Sequence, residues 1–216
     1  MSLQAINIPP ASGEAAKGLI VLLHGWGANL YDLASLAPEL NLPDDHFLFP
    51  DAPFPHPHVP GGKMWYDLDS DNYEGLLESG QMLLEWLLSL EGITGVPLSR
   101  TILSGFSQGG AMTLDVGLRL PVAGLVSFSG YLHGEPEPTG GLPPVLMMHG
   151  TQDGVVPVGA ARQARDILMD MGVPVTYHEF NIGHQIITEE IELMRKFVLE
   201  AIAAATDRVG GVAPES

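Results

Sequence analysis

"LSGFSQGG", residues 103–110, decides how this chain is read. A serine stands between close-set glycines with an apolar run on either side. Thr101-Ile102-Leu103 reads as the end of a strand, and Ala111-Met112-Thr113-Leu114 as a helix. Ser107 therefore sits on a tight strand-to-helix turn. Gly105-Phe106-Ser107-Gln108-Gly109 matches Gly-x-Ser-x-Gly in the strand-and-helix context that this pattern requires. A serine on so sharp a turn is held in a strained backbone conformation. Glycines to either side let strand and helix approach closely, and the hydroxyl projects toward solvent. Taken alone, the stretch reads either as a nucleophile or as an inert Gly/Ser turn.

The rest of the chain supplies a scaffold for such a turn. Short apolar runs at Gly18–Leu23, His46–Phe49, Thr101–Ser104, Val122–Phe128, Val145–Met148 and Val175–Phe180 read as strands. Helical patterns lie between them. Leu76, Leu77, Leu83, Leu84, Leu87 and Leu88 recur at helical spacing. So do Ile187, Ile191, Met194, Val198 and Ala201, with Thr188 read as the N-cap before Glu189 and Glu190. Strands alternating with helices predict an α/β fold: a mostly parallel sheet covered on both faces. No repeat or charged linker divides the chain, so residues 1–205 are expected to form one domain and 206–216 a frayed tail. The stretch 52–71, "APFPHPHVPGGKMWYDLDSD", is too rich in Pro and Gly for a helix and too short for a separate lid domain. It follows a strand's carboxyl end, where parallel sheets carry their sites.

A nucleophilic serine needs a base, and the base an orienting acid. In folds of this kind the chain order is serine, acid, histidine. "VLMMHGTQDGVVP" puts Asp153 in the loop after the fifth predicted strand, and "YHEFNIGHQI" puts His184 in the loop after the sixth. Both fall at strand carboxyl ends, as Ser107 does. Eight histidines make one such placement unremarkable, and the joint placement is what counts. His178 lies inside a strand pattern, and His149 ends a strand as a structural hydrogen-bonding residue. Asp166 and Asp170 lie on a helix. "LLHGWGAN" follows the first strong strand, with His24 and Gly25 setting a turn. The backbone N–H of Trp26 and that of Gln108, at the helix start, are the candidate oxyanion donors.

With these motifs in order, the chain resembles the phospholipase/carboxylesterase group of the α/β-hydrolase superfamily, the compact carboxylesterases and acyl-protein thioesterases. The matching motifs are "LHGWGAN", "MWYD", "GFSQGG", "HGTQD" followed by "VVP", and "GH" at 183–184. The resemblance implies a compact α/β-hydrolase without a lid domain, with Ser107, Asp153 and His184 as triad and Trp26 and Gln108 as oxyanion donors. It also implies that Met64, Trp65 and Val156 border an acyl channel. Eukaryotic thioesterase members usually carry a cysteine-containing sequence around the acid. "HGTQDGVVP" is closer to bacterial esterases. The expected activity is hydrolysis of short- to medium-chain carboxylic esters through an acyl-enzyme. The alternatives are a thioesterase or lysophospholipase acting on longer chains and, more remotely, a non-catalytic binding module.

Composition sets the bounds of this reading. The chain has 216 residues, 45% of them hydrophobic and 16% charged, enough for one buried core. A net charge of −17 with only nine Lys and Arg argues against nucleic acid and anionic membranes as partners, and leaves a small neutral ester open. The absence of cysteine excludes disulfides, thiolate metal sites and a cysteine nucleophile, and fits the cytoplasm. No run approaches the roughly 18 apolar residues of a membrane span. The start, "MSLQAINIPP", does not read as a signal peptide. Asp67, Asp69, Asp71 and Glu78 fit a calcium-loop register, but Asn72 stands where that loop needs glycine. His56 and His58 in "HPHVP" lack further ligands nearby. No metal and no cofactor are expected. Homo-oligomerisation is left open.

Overall fold

All six apolar runs read as strands form strands, and the four central ones, at 19–23, 101–106, 124–128 and 145–150, are buried on both faces of one sheet. The computed structural model describes residues 3–139 and 141–210, the last four as backbone only. In chain order the strands are β1 (Ala5–Ile8), β2 (Leu19–Leu23), β3 (His46–Pro50), β4 (Phe54–Pro55), β5 (Lys63–Met64), β6 (Thr101–Phe106), β7 (Gly124–Phe128), β8 (Val145–Gly150) and β9 (Val175–Phe180). Seven of them make the main sheet in the order β1-β3-β2-β6-β7-β8-β9. β1 runs antiparallel to β3, and every other pairing in that sheet is parallel. β4 and β5 form a small antiparallel hairpin inside the Pro/Gly-rich loop.

The helices are α1 (Leu36–Leu40), α2 (Leu76–Thr94), α3 (Gln108–Gly117), α4 (Val158–Asp170) and α5 (Thr188–Gly210). Successive side chains of a strand point to opposite faces. Leu19, Val21 and Leu23 of β2 join one core with α2, α3 and α4. Ile20 and Leu22 join the other with α1 and α5. Both faces are thus closed, as parallel strands require. No helix among the described residues is long and apolar enough to cross a membrane.

Three local expectations change. The buried face of α2 is Ser79, Leu83, Trp86, Leu87 and Leu90, whereas Leu77 is 90% and Leu88 56% exposed. The leucine stripe is wider than the face that packs, and the large Trp86 sets the rotation. Thr188 is the first residue of α5 and not its cap. The orphan Ile187 N–H donates instead to the Glu190 carboxylate at 3.0 Å. Finally, α5 continues to Gly210, into the stretch expected to fray, because Ala201, Ile202 and Ala205 keep packing on the core. Residues 211–216 of that stretch lie outside the described residues.

Candidate active site

Ser107 lies between β6 and α3 with φ 56° and ψ −118°, a conformation that a side-chain-bearing residue rarely takes. Two close approaches hold it there. A Cβ on Gly105 would come within 2.3 Å of Gly109 O, and one on Gly109 within 2.2 Å of Leu23 O. Only glycine lets α3 start this close to β6 and β2. The Ser107 N–H donates to Phe128 O at 2.8 Å, and Ser107 O accepts from Ala111 at 3.0 Å.

The loops after β8 and β9 carry the other two candidates to the same point. Gly150 packs so tightly on the β9 loop that a Cβ there would meet Gly183 O at 2.4 Å. The Gln152 N–H donates to Ile182 O at 3.0 Å, which locks one loop on the other. His184 Nδ1 then lies 2.6 Å from Asp153 Oδ2, and His184 Nε2 lies 2.9 Å from Ser107 Oγ. The Phe106 ring packs on the imidazole with centroids 4.7 Å apart.

Asp153 is 8% exposed. Burial alone would raise its carboxyl. The hydrogen bond from His184 and those from the Val156 and Val155 backbone outweigh that and hold it below the ordinary aspartate value. Asp153 Oδ1 takes both backbone N–H groups at 2.8 Å, leaving Oδ2 for the histidine. His149 sits beneath this loop, where its Nε2–H donates to Val156 O at 2.9 Å. That is the structural part read for it. His178 remains on β9, away from this cluster.

The loop after β2 is built around a neutral histidine. His24 Nδ1–H donates to Gly25 O at 2.8 Å, and its Nε2 accepts from the Ala52 N–H at 3.0 Å. Burial pushes its pKa down, which suits that single-proton arrangement. Gly25 abuts the serine, since a Cβ there would stand 3.4 Å from Ser107 Cβ. Among the described residues, neither the Trp26 nor the Gln108 backbone N–H donates to a protein acceptor. The Trp26 indole packs edge-on against His56, with centroids 4.2 Å apart.

Trp65, which the resemblance places at the border of an acyl channel, is wholly buried in this structure. Its indole N–H donates to His24 O at 3.0 Å, and its backbone N–H donates to Gln108 Oε1 at 2.9 Å. It is a staple that fastens the 52–71 loop to the turn of the serine. Met64 is half-buried on β5, and Val156 is buried in the Asp153 loop. A polar knot joining the 52–71 loop, α3 and the loop after β7 was not read from the sequence: Tyr66 and Tyr131 share a hydroxyl hydrogen bond at 2.6 Å, beside a pair formed by His133 and Asp115. Only the fold brings its distant members together. In the acidic loop Asp67 Oδ1 is spent on the Asp69 N–H, and His56 Nδ1 accepts from both His58 and Val59.

A mostly parallel sheet with a serine on a strained strand-to-helix turn, facing a histidine and an acid from later strand ends, defines an α/β-hydrolase. The chain belongs to the phospholipase/carboxylesterase family, which it matches over residues 7–202. It is 29% identical over 218 residues to acyl-protein thioesterase 1 of Neurospora crassa, covering 88% of this chain and 89% of that one. It is 27% identical to lysophospholipase-like protein 1 of Mus musculus, covering 94% and 96%. Among solved structures, esterase PE8 superposes with a TM-score of 0.87 at 34% identity, over 93% of this chain and 100% of that one. The Bacillus cereus carboxylesterase shares the fold, with a TM-score of 0.79 at 19% identity over 92% and 94%.

Proposed function

We propose that this protein is a serine hydrolase that cleaves carboxylic esters of short to medium acyl chains through an acyl-enzyme. The observation that carries this is the unbroken hydrogen-bond line from Asp153 Oδ2 through His184 to Ser107 Oγ, at 2.6 and 2.9 Å. Ser107 Oγ attacks the ester carbonyl while His184 Nε2 takes its proton. Asp153 holds the Nδ1–H tautomer and stabilises the imidazolium. The oxyanion is received by the backbone N–H groups of Trp26 and Gln108. The intermediate collapses, and the leaving alkoxide takes the proton from His184. Water then attacks the acyl-enzyme with His184 again as base. Ester and water become acid and alcohol, with no metal in the scheme.

The likeness to esterase PE8, at 34% identity, supports the ester reading. The thioesterase and lysophospholipase names of the relatives support a second reading, the same chemistry on thioesters or longer chains. Two measurements test these readings. Labelling by a fluorophosphonate, lost in Ser107→Ala, is expected. An unlabelled wild-type protein overturns the hydrolase reading in favour of a binding module. A panel of aryl esters graded in chain length, with matched thioesters, is expected to peak at short to medium oxygen esters. A peak on long-chain thioesters or lysophospholipids selects the second reading.

A further inference from the structure

The stretch "HPHVP" holds a histidine that the chemistry of Ser107 does not use. His56 follows β4 in the 52–71 loop and is only 8% exposed. Its Nδ1 accepts the backbone N–H groups of His58 at 3.1 Å and of Val59 at 3.0 Å. A side-chain acceptor that takes the N–H groups two and three residues on closes a turn, as asparagine and aspartate do. The Gly62 N–H then donates to Val59 O at 2.9 Å, and the His56 N–H to Gly62 O at 2.9 Å. The imidazole thus fixes the path of the loop as far as Lys63.

At Lys63 this loop meets the turn that carries Trp26. The Gly27 N–H donates to Lys63 O at 2.8 Å, and the Lys63 N–H to Ala28 O at 2.7 Å. The turn runs from Gly25 to Ala28 and is closed by the Ala28 N–H on Gly25 O at 3.3 Å. Gly27 has φ 78° and Trp26 is not among the positive-φ residues, which is the pattern of a type II turn. Gly25 O also accepts from His24 Nδ1–H at 2.8 Å. The C=O and N–H of a trans peptide point opposite ways, so the Trp26 N–H is turned away from both donors. Its direction depends on what holds Trp26 and Gly27, the two central residues.

His56 covers both. Its ring meets the Trp26 indole with centroids 4.2 Å apart and planes at 64°. The edge that carries Cδ2 and Nε2 faces Gly27, where a Cβ would lie 3.5 Å from the one and 3.6 Å from the other. No hydrogen bond accompanies these contacts. With Nδ1 accepting, the ring proton sits on Nε2, so His56 Nε2 and Trp26 Nε1 are both donors and cannot bond to each other. Both are buried and, among the described residues, neither has a partner. A buried donor left so costs stability. An asparagine would close the same turn without that cost. The imidazole therefore exceeds what the loop needs, and the excess is the ring that lies on Trp26 and Gly27.

We propose, on the reading of Ser107 as a nucleophile, that His56 is a positioning residue for the oxyanion hole. Its ring packs on both central residues of the Gly25–Ala28 turn and so aims the Trp26 N–H, and its Nδ1 anchors the ring to the 52–71 loop. It touches no reacting atom and acts through the backbone of Trp26.

Aryl acetate kinetics of the full chain, with melting curves, test this. His56→Asn keeps an acceptor for His58 and Val59 and removes the ring. It is expected to melt near the wild type and to lose about tenfold to 10²-fold in kcat, with KM within about twofold, because the geometry lost serves the transition state. Affinity for an aryl trifluoromethyl ketone, whose adduct with Ser107 places an oxyanion at the same point, falls in step. In Trp26→Pro, which has no N–H to aim, adding His56→Asn lowers kcat by less than about threefold. His58→Asn changes a side chain that is 75% exposed and matches the wild type. His56→Phe keeps a ring and loses the acceptor, so it melts lower and, where folded, keeps kcat within about threefold. Should His56→Asn fold poorly, folded His56→Phe decides, and a kcat below about a tenth of the wild type overturns the role. A wild type that takes no fluorophosphonate label removes the nucleophile and this role with it. With a labelled wild type, three results overturn the positioning role alone: unchanged kcat in folded His56→Asn, a loss carried by KM, or the same fold-loss in Trp26→Pro as in the wild type.

Discussion

The side chain of Gln108 holds the backbone of Trp65 in place, its Oε1 accepting the Trp65 N–H at 2.9 Å. Its Nε2 donates to Tyr66 O at 2.7 Å. One residue thus offers its own backbone N–H beside Ser107 and clamps the 52–71 loop with its amide. Gln108→Leu keeps the backbone donor and removes the clamp. Two buried backbone groups then lose their partners, at about 1–3 kcal/mol each. Urea denaturation of the folded variant checks the loss of stability. If the midpoint stays at the wild-type value, the clamp does not hold the loop.

Ser107 adopts φ 56°, where an L-residue is strained and glycine is not. Ser107→Gly is therefore expected to be at least as stable as Ser107→Ala, against glycine's usual cost of about 0.5–1 kcal/mol. Thermal melts of the two compare them directly. Both variants lose activity on aryl acetates by about 10³-fold or more. His184→Ala is expected to match them and His178→Ala to stay near the wild type. A serine variant keeping more than a small fraction of the rate points to another nucleophile.

How much of this was legible in the sequence depended on whether neighbours in sequence or neighbours in space decide the outcome. The inner strands were readable because they are buried on both faces and appear as unbroken apolar runs. Their carboxyl ends were read short: β6 runs on through Gly105 and Phe106, and β8 through His149 and Gly150. Those residues serve the loops that carry the site, so they do not look like strand. β1 was missed because it is a half-buried antiparallel edge, "AINI", followed by two prolines. Ser107, Asp153 and His184 could be picked out because chain order and strand ends restrict where each can stand. The burial of Trp65 was not legible, since nothing local in "MWYD" says that its indole turns inward to His24 O, a contact across 41 residues.

Glu190 links stability to pH. It is 1% exposed, and burial lifts its carboxyl from 4.5 to about 7 even though it accepts the Ile187 N–H. Between those values the unfolded chain has released the proton and the folded chain retains it. Its contribution is therefore most favourable below the unfolded value, declines as pH rises toward about 7 and is level above that. Glu190→Gln removes that slope. Urea midpoints of both proteins at about pH 5 and about pH 7.5 measure it. An identical pH dependence in the two proteins shows that Glu190 is not the source.

The backbone of Trp26 carries the sharpest test of the oxyanion assignment, because no side chain is involved. Its N–H has no protein acceptor among the described residues, and Gly25 places the loop against Ser107 Cβ. Trp26→Ala keeps that N–H and loses the edge contact with His56. Such a contact is worth about 0.5–1.5 kcal/mol, so the rate is expected to fall by about tenfold at most. Trp26→Pro removes the donor itself. Loss of one oxyanion donor costs about 10²- to 10³-fold in kcat. Proline also fixes φ and can disturb the loop, so melting curves of both variants accompany the kinetics. The comparison that decides is kcat of folded Trp26→Pro against folded Trp26→Ala. Similar values for the two remove this backbone from the oxyanion hole and leave "HGWG" as a turn, with Gln108 as the remaining candidate donor.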